Sequence, residues 1–393
     1  MGPLFAQIVA VGRMNLLSLP SRLGSSITTL LAVAIVVTVL LAFMAMGEGF
    51  QKTMEGSGSD NVAIMLRGGS QAELNSGLGG DVLNIVSSAP GIAQDENGPI
   101  ISGELYVVVD GTKRSSQTEA NLPLRGIRTA GFALRENITL IEGRMFEEGT
   151  TEIIVGSSVL SQFEGFEMGK AVKFGTTAWT VVGVFDAGGS VFGSELLTDV
   201  RTLQTQFNRG NSYQSIRVRL EGDNGLQTLK DFIANEPRIN LDVMTEKAYY
   251  SDQSRGMASL IYMGWGLAIL MAMGALAGAL NTMYTSVESK AVEIATLRAI
   301  GFKTTAAFVG TLMESLVLAA LGGVLGTLIA YVLFDGISTS TMGGSFTQVV
   351  FDFNVSVGAF KSGVTLALVI GFIGGFFPAL RAARLPVVVA FKT

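Results

Sequence analysis

Four stretches of this chain are long and apolar enough to cross a membrane, and no other feature limits the fold so strongly. They lie at about 27–46, 257–282, 306–334 and 363–380. A hydrocarbon core of about 30 Å takes roughly 20 helical residues, and each window meets or approaches that length. The first, second and fourth hold no charged residue, and the third holds one, Glu314. The first run is longer than the apolar core of a secretion signal and starts only at residue 27, so it reads as a retained span.

Basic residues in short flanks set the expected orientation. Arg13 and Arg22 precede the first span, Lys290, Arg298 and Lys303 lie between the second and third, and Arg381, Arg384 and Lys392 follow the fourth. Segment 335–362 holds only Lys361. With four spans, all three basic flanks fall on one side. The N-terminus, the 283–305 loop and the C-terminus are therefore expected in the cytoplasm, and the region between the first two spans outside it.

That region is acidic: residues 48–256 carry 27 acidic and 18 basic side chains, and the formal charge of the whole chain is −5. Nucleic acid is not an expected partner, because its recognition needs clustered Lys and Arg. The chain has neither Cys nor His. Disulfides, thiolate chemistry, a Ser/His/Asp triad and the usual zinc ligand sets are therefore excluded. The acidic pairs Glu147–Glu148 and Asp95–Glu96 read as solvated turns, so no catalytic, cofactor-binding or metal-binding residue is assigned.

Within the inserted region, β-like runs at Leu105–Val109, Glu152–Val155, Ala171–Phe174, Trp179–Val184 and Ser215–Leu220 alternate with helical stretches at Leu78–Ser87, Val200–Phe207 and Leu226–Asn235. The expected fold class is thus an α-helical membrane protein of four spans, with a mixed α+β domain inserted between the first and second. The expected organisation is an interfacial amphipathic helix over 1–26, a span over 27–49, the external domain over 50–256 with two subdomains, the inner at about 125–210, and a second span over 257–282. A coupling loop over 283–305, a third span over 306–334, a short external loop over 335–362, a fourth span over 363–380 and a tail over 381–393 complete it.

Gly274 with Gly278, Gly322 with Gly326, and Gly371 with Gly375 form small-xxx-small pairs, which let helices approach closely in lipid. Three pairs in three spans point to a tight bundle and are compatible with a dimer. Pro378 is expected to bend or end the fourth helix. Between the second and third spans, Val292, Ala295, Leu297 and Ile300 form an apolar stripe with Lys290, Glu293 and Arg298 as its charges, and Gly301 is placed to end the helix. Glu314 near the start of the third span is expected to pair with Arg298.

The run Asn281-Thr282-Met283, Ser286-Val287 and Val292 to Phe302 resembles the cytoplasmic coupling segment of ABC-transporter permeases of the MacB and FtsX-like family. Glu314-Ser315-Leu316 with Gly322 to Gly326, and Gly375 to Arg384 with its Phe-Phe-Pro, resemble that family's third and fourth spans. Glu142 to Phe146, Ile154-Val155-Gly156, and Val181 to Phe185 with Gly188-Gly189-Ser190 resemble the MacB-like periplasmic core domain. Ser289, Lys290 and Val292 depart from the additional Arg or Glu frequent before the Glu-Ile pair, and Ala295 stands where Gly is frequent.

The resemblance implies a permease of the bacterial inner membrane, working as a homodimer or beside a close paralogue, on a dimer of a separate cytoplasmic ATPase. Lys290, Glu293, Leu297, Arg298, Ile300 and Gly301 would couple to that ATPase. No phosphate loop occurs in this sequence. Its nearest lookalike, Gly165 to Lys170 followed by Ala171, has the wrong spacing and lacks the magnesium-holding hydroxyl. ATP and magnesium would belong to the partner, and a periplasmic adaptor is a further partner the family allows. The implied function is mechanotransmission that drives export, or outer-leaflet extraction, of a hydrophobic or amphiphilic substrate. The alternative is an FtsX-like regulator of an external partner such as a cell-wall hydrolase.

Overall fold

The computed structural model describes residues 3–17, 23–96, 98–135, 137–342 and 348–384. Arg22 and Lys392, two of the basic flanking residues, and most of the 381–393 tail lie outside the described residues.

Helices α1 (Pro3–Leu17) and α2 (Leu23–Glu55) come first. The inserted lobe follows with β1 (Val62–Arg67), β2 (Leu78–Gly79), α3 (Gly80–Ser87), β3 (Gln94–Asp95), β4 (Gly98–Pro99), β5 (Ile101–Thr112), β6 (Glu119–Ile127) and α4 (Thr129–Ala133). It continues through β7 (Thr139–Gly143), β8 (Glu152–Gly156), α5 (Ser157–Gln162), β9 (Ala171–Phe174), β10 (Thr177–Asp186), β11 (Leu196–Asp199) and α6 (Val200–Gln206). Strands β12 (Ser212–Tyr213) and β13 (Ser215–Arg219), helix α7 (Gly225–Asn235) and β14 (Leu241–Thr245) close that stretch. Then come α8 (Glu246–Ser289), α9 (Ala291–Ala299), α10 (Thr304–Phe334), β15 (Ser338–Met342), β16 (Gln348–Asp352) and α11 (Val357–Arg384). Four of these helices are long and apolar enough to span a membrane, over Ser26–Glu55, Ile261–Ser289, Thr304–Phe334 and Val357–Arg384.

The chain divides into two compact units. One comprises residues 1–48, 258–337 and 353–393, and the other residues 49–257 and 338–352. Helix α8 is shared, its first dozen residues counted with the lobe and the rest with the membrane unit.

The lobe is built on one ten-stranded sheet in the order β14-β1-β13-β5-β6-β11-β8-β10-β7, with β9 added to β10. Strand β5 joins its halves, since Ile101–Glu104 pair with β13 and Leu105–Thr112 with β6. A single apolar core, from Met65 and Ile216 through Leu105 and Leu124 to Trp179 and Phe163, runs beneath both halves. The long β5–β6 hairpin carries this core from the β13 side of the sheet into residues 125–210, the stretch expected as the inner subdomain. Helix α6 starts at Asp199, whose carboxylate accepts the amide of Thr202 at 2.9 Å, an N-cap of ordinary kind.

Segment 335–362, read above as a short loop, holds the β15–β16 hairpin, which belongs to the lobe. Phe351 meets Phe50 edge to face with centroids 5.5 Å apart, and the amide of Val350 donates to Ser194 Oγ at 2.9 Å.

In the membrane unit, glycines set the closest approaches. A side chain at Gly322 or Gly326 would run into α2 at Leu30, Val33, Ala34 and Val37. Gly371 and Gly375 of α11 abut Ala319 and Ser315 of α10, and Ser315 Oγ donates to the Gly371 carbonyl at 2.7 Å. Thr38 Oγ1 donates to the carbonyls of Ala34 (2.8 Å) and Gly326 (3.0 Å). Gly274 and Gly278 differ: both are exposed, and no atom of another element lies within contact of either position. Pro378 does not end α11, which continues to Arg384. We predict that Gly326→Val lowers the melting temperature of the detergent-purified chain, at an overpacking penalty of about 1–3 kcal/mol, whereas Gly274→Val leaves it unchanged. Equal effects would refute this packing.

Candidate functional site

The segment joining the second and third spans is a short helix set off by a break. Helix α8 ends at Ser289, Lys290 adopts φ −97° and ψ 4°, and α9 begins at Ala291. At its far end Gly301 has φ +102°, a left-handed conformation that glycine adopts readily, and the amide of Phe302 donates to the Leu297 carbonyl at 3.0 Å. Helix α1 secures this turn: Gln7 Nε2 donates to the Gly301 carbonyl at 3.5 Å, and Gln7 Oε1 accepts the Lys303 amide at 3.1 Å.

The four apolar residues of the expected stripe do not share one buried face. Ile294 and Ala295 are buried, with Ile294 packed among Val287, Ala307 and Ala382. Val292 and Ile300, two residues of the expected apolar stripe, are exposed at 49% and 70%. Together with exposed Glu293 and Thr296 they make one accessible face. Leu297 and Arg298 are half-buried, and Gly301 is exposed.

Lys290 does not belong to that face. Its side chain is buried, and its ammonium lies 2.9 Å from Glu314 Oε2 and 3.4 Å from Asn15 Oδ1. Ser286 Oγ donates to the other carboxylate oxygen of Glu314 at 3.1 Å. The expected pairing of Glu314 with Arg298 is thus corrected to Lys290. The lysine sits at the helix break facing α10, whereas Arg298 lies two turns further along α9. Lys290 is correspondingly removed from the residues able to meet a partner.

A second constellation lies in the lobe and was not expected from the sequence. One face of the sheet carries the apolar core through Leu105, Val107, Leu122 and Leu124. The alternate residues Glu104, Arg125 and Arg217 point to the other face, as period-two geometry requires, and are as deeply buried. Arg125 grips Glu195 with two bonds of 2.8 and 2.7 Å and Glu73 with two of 2.7 and 2.9 Å, and reaches Glu104 at 3.0 Å. Arg135 holds Glu104 through bonds of 2.9 and 2.7 Å. Arg217 pairs with Glu104, with Glu73 at 3.0 Å and with Glu246 at 2.7 Å. Ser215 Oγ donates to Glu73 at 2.6 Å, and the guanidinium of Arg125 stands 4.8 Å over the Tyr106 ring.

Glu246 is the first residue of α8, and Tyr249 and Tyr250 follow on its first turn. Arg217 donates to the Tyr250 hydroxyl at 3.3 Å, and the Glu73 amide donates to the Tyr249 hydroxyl at 3.2 Å. The head of α8 is thereby bolted to three strands through charge.

Burial by itself would raise the carboxyl of Glu104, but Arg135, Arg217 and Arg125 outweigh it and bring it down to about 2. Glu73 is likewise held well below the usual carboxylate range, burial being overcome by Arg125 and Arg217. Burial pushes the hydroxyls of Tyr249 and Tyr250 well above their ordinary value, so both stay protonated. Among the described residues no group of three or more His, Cys, Asp or Glu side chains is placed to hold a metal ion.

The sign of the pH effect follows. A carboxyl lowered on folding adds stability that is full above its unfolded value, 4.5, and lost as pH falls towards about 2. The melting temperature is expected to hold down to about pH 5 and drop steeply below it; a flat profile to about pH 3 would contradict the network. Arg217→Met removes the arginine paired with Glu246 and one of those paired with Glu73 and Glu104, and is predicted to cost about 3–5 kcal/mol. At the other end of α8, Lys290→Met and Glu314→Met should each destabilise the purified chain, with the double variant recovering part of the loss. Strict additivity in that cycle would show that the pair does not interact.

Four candidate spans, a lobe between the first and second, and a short helix between the second and third define a multi-pass membrane protein with an inserted domain. Residues 26–235 match the MacB-like periplasmic core domain, and residues 265–387 match the FtsX-like permease C-terminal domain. The chain belongs to the MacB/FtsX-like permease family.

It is 24% identical over 419 residues to the macrolide export ATP-binding/permease protein MacB 1/2 of Paracoccus denitrificans, covering 99% of this chain and 59% of that protein. It is 25% identical over 397 residues to the pyoverdine export ATP-binding/permease protein PvdT of Pseudomonas entomophila, covering 93% and 57%. The chain thus spans less than two thirds of the length of these relatives. Similarity to the ABC transporter permease YvrN of Bacillus subtilis is 24% over 420 residues, covering 97% of this chain and 98% of that one. Among solved structures, the periplasmic region of MacB from Actinobacillus actinomycetemcomitans matches with TM-score 0.38 and 17% identity, over 51% of this chain and 94% of that one.

Proposed function

We propose that this chain is the permease subunit of an ABC transporter, in which a separate cytoplasmic ATPase binds the face of α9 and its hydrolysis cycle moves the lobe outside the membrane. The substrate class is a hydrophobic or amphiphilic molecule, exported or taken from the outer leaflet. ATP and magnesium are used by the ATPase, the permease works as a pair of copies or with a paralogue, and N- and C-termini face the cytoplasm of a bacterial inner membrane.

The observation that carries this reading is the continuity of α8. One unbroken helix of 44 residues begins at Glu246, inside the buried ion network, and ends at Ser289, beside Lys290 and the start of α9. A displacement applied at α9 has a covalent, helical route to the strands of the lobe. The relatives named as ATP-binding/permease proteins for macrolide and pyoverdine export support an export role. The ATPase-facing residues proposed are Val292, Glu293, Thr296 and Ile300, with half-buried Leu297 and Arg298 and the Gly301 turn behind them.

The test is co-purification with the host's candidate ABC ATPases, followed by ATPase assay in nanodiscs. Ile300→Asp and Glu293→Lys are each expected to reduce ATPase capture about tenfold or more, a loss of about 1.4 kcal/mol or greater, while the permease still inserts and elutes as before. Capture and turnover unchanged in both variants would overturn the proposal.

A further inference from the structure

The membrane unit contains a groove that the reading above does not use. It has a volume of about 360 Å³ and is lined by Val324, Thr327, Leu328 and Tyr331 of α10 with Val355, Val357 and Phe360 of the α11 entry. Helices α10 and α11 touch closely where Gly323 meets Ala367 and where Gly371 meets Ala319. The groove opens beyond that contact, over the last turns of α10.

Its chemistry selects an apolar occupant. Val324, Leu328, Tyr331, Val357 and Phe360 are all exposed, so on a membrane span the surrounding medium is hydrocarbon. Two of the hydroxyls at the groove are engaged within the chain: Thr327 Oγ1 donates to the Gly323 carbonyl at 2.8 Å, and Ser356 Oγ accepts the Ala359 amide at 3.0 Å. The phenol of Tyr331 is the third, at the end of an otherwise apolar lining. From Val324 to Tyr331 the groove follows about 10 Å of helix, at about 1.5 Å per residue.

Its mouth selects a charge. Lys361 follows Phe360 directly and lies one turn from Val357, on the same side of α11. It is exposed, and no ion pair or hydrogen bond engages it among the described residues. It is also the lone basic residue of segment 335–362, which the orientation above places outside the membrane. Asp335, the nearby acid, accepts the Val355 amide at 3.0 Å.

We infer that this groove holds one acyl chain of a resident anionic phospholipid, with the lipid phosphate on Lys361. Only its assignment to the outer leaflet rests on the proposed orientation.

The full chain is placed in nanodiscs containing phosphatidylglycerol or phosphatidylcholine with a diazirine on one acyl chain, irradiated, and mapped by mass spectrometry. Labelling is expected to concentrate on residues 324–331 and 355–360 over the lipid-facing stretch 262–273 of α8. The anionic probe should label the groove roughly fivefold more than the zwitterionic one, the preference one lysine confers near a membrane surface. Lys361→Gln should abolish that preference while chain labelling persists, and Leu328→Trp should remove the labelling with the elution profile unchanged. Uniform labelling of all lipid-facing stretches, an anionic preference that survives Lys361→Gln, or crosslinks between two permease copies through the groove would each overturn the inference. Because the experiment needs neither ATPase nor cargo, its failure leaves the transport reading intact.

Discussion

Charges withdrawn from water dominate the architecture, since a guanidinium or carboxylate in a protein interior is tolerated only where opposite charge and hydrogen bonds replace its hydration. Arg125, Arg135 and Arg217 meet that demand with Glu73, Glu104, Glu195 and Glu246, all almost fully buried. Planar guanidinium forks accept few geometries, so the cluster specifies where β5, β6, β13, the turn at Glu73 and the first turn of α8 must sit. Such a cluster contributes little net stability over an apolar core of the same volume, and its value lies in position. The same logic recurs near the opposite end of α8, where Lys290 and Glu314 neutralise each other below the reach of water.

The membrane architecture was legible in the sequence because a span declares itself locally: some twenty uncharged residues leave few other structures. The positions of β5, β8, β9, β10 and β13 were legible for a similar reason, each being a short β-branched run closed by glycine. The ion network was not, because its partners lie far apart along the chain, Glu73 and Arg217 by 144 residues. A faint signal existed in single charges set inside apolar strand runs, as in Leu122-Pro-Leu-Arg125-Gly-Ile and Ser215-Ile-Arg217-Val. Pairing them needed the strand register, which only the folded sheet supplies.

The segment joining the second and third spans shows a different limit. Its position and its terminating Gly301 could be read directly, but which side of α9 is covered could not. At 3.6 residues per turn Val292, Ala295, Leu297 and Ile300 spread over more than half of the helix circumference, so Ala295 is buried while Val292 and Ile300 are exposed. Exposed Ile300 and Val292 make the accessible face of α9 more apolar than its charges suggest. An interface there would draw on desolvation of aliphatic groups more than on ion pairing.

The hairpin of β15 and β16 changes the topology of the molecule. Because it belongs with the lobe, the chain passes between the two units four times, near residues 48, 257, 337 and 352, instead of twice. The lobe is also a discontinuous module. Its heritable unit is two segments separated by two spans, and an exchange of residues 49–257 alone between related permeases would leave one of its strands pairs behind in the recipient.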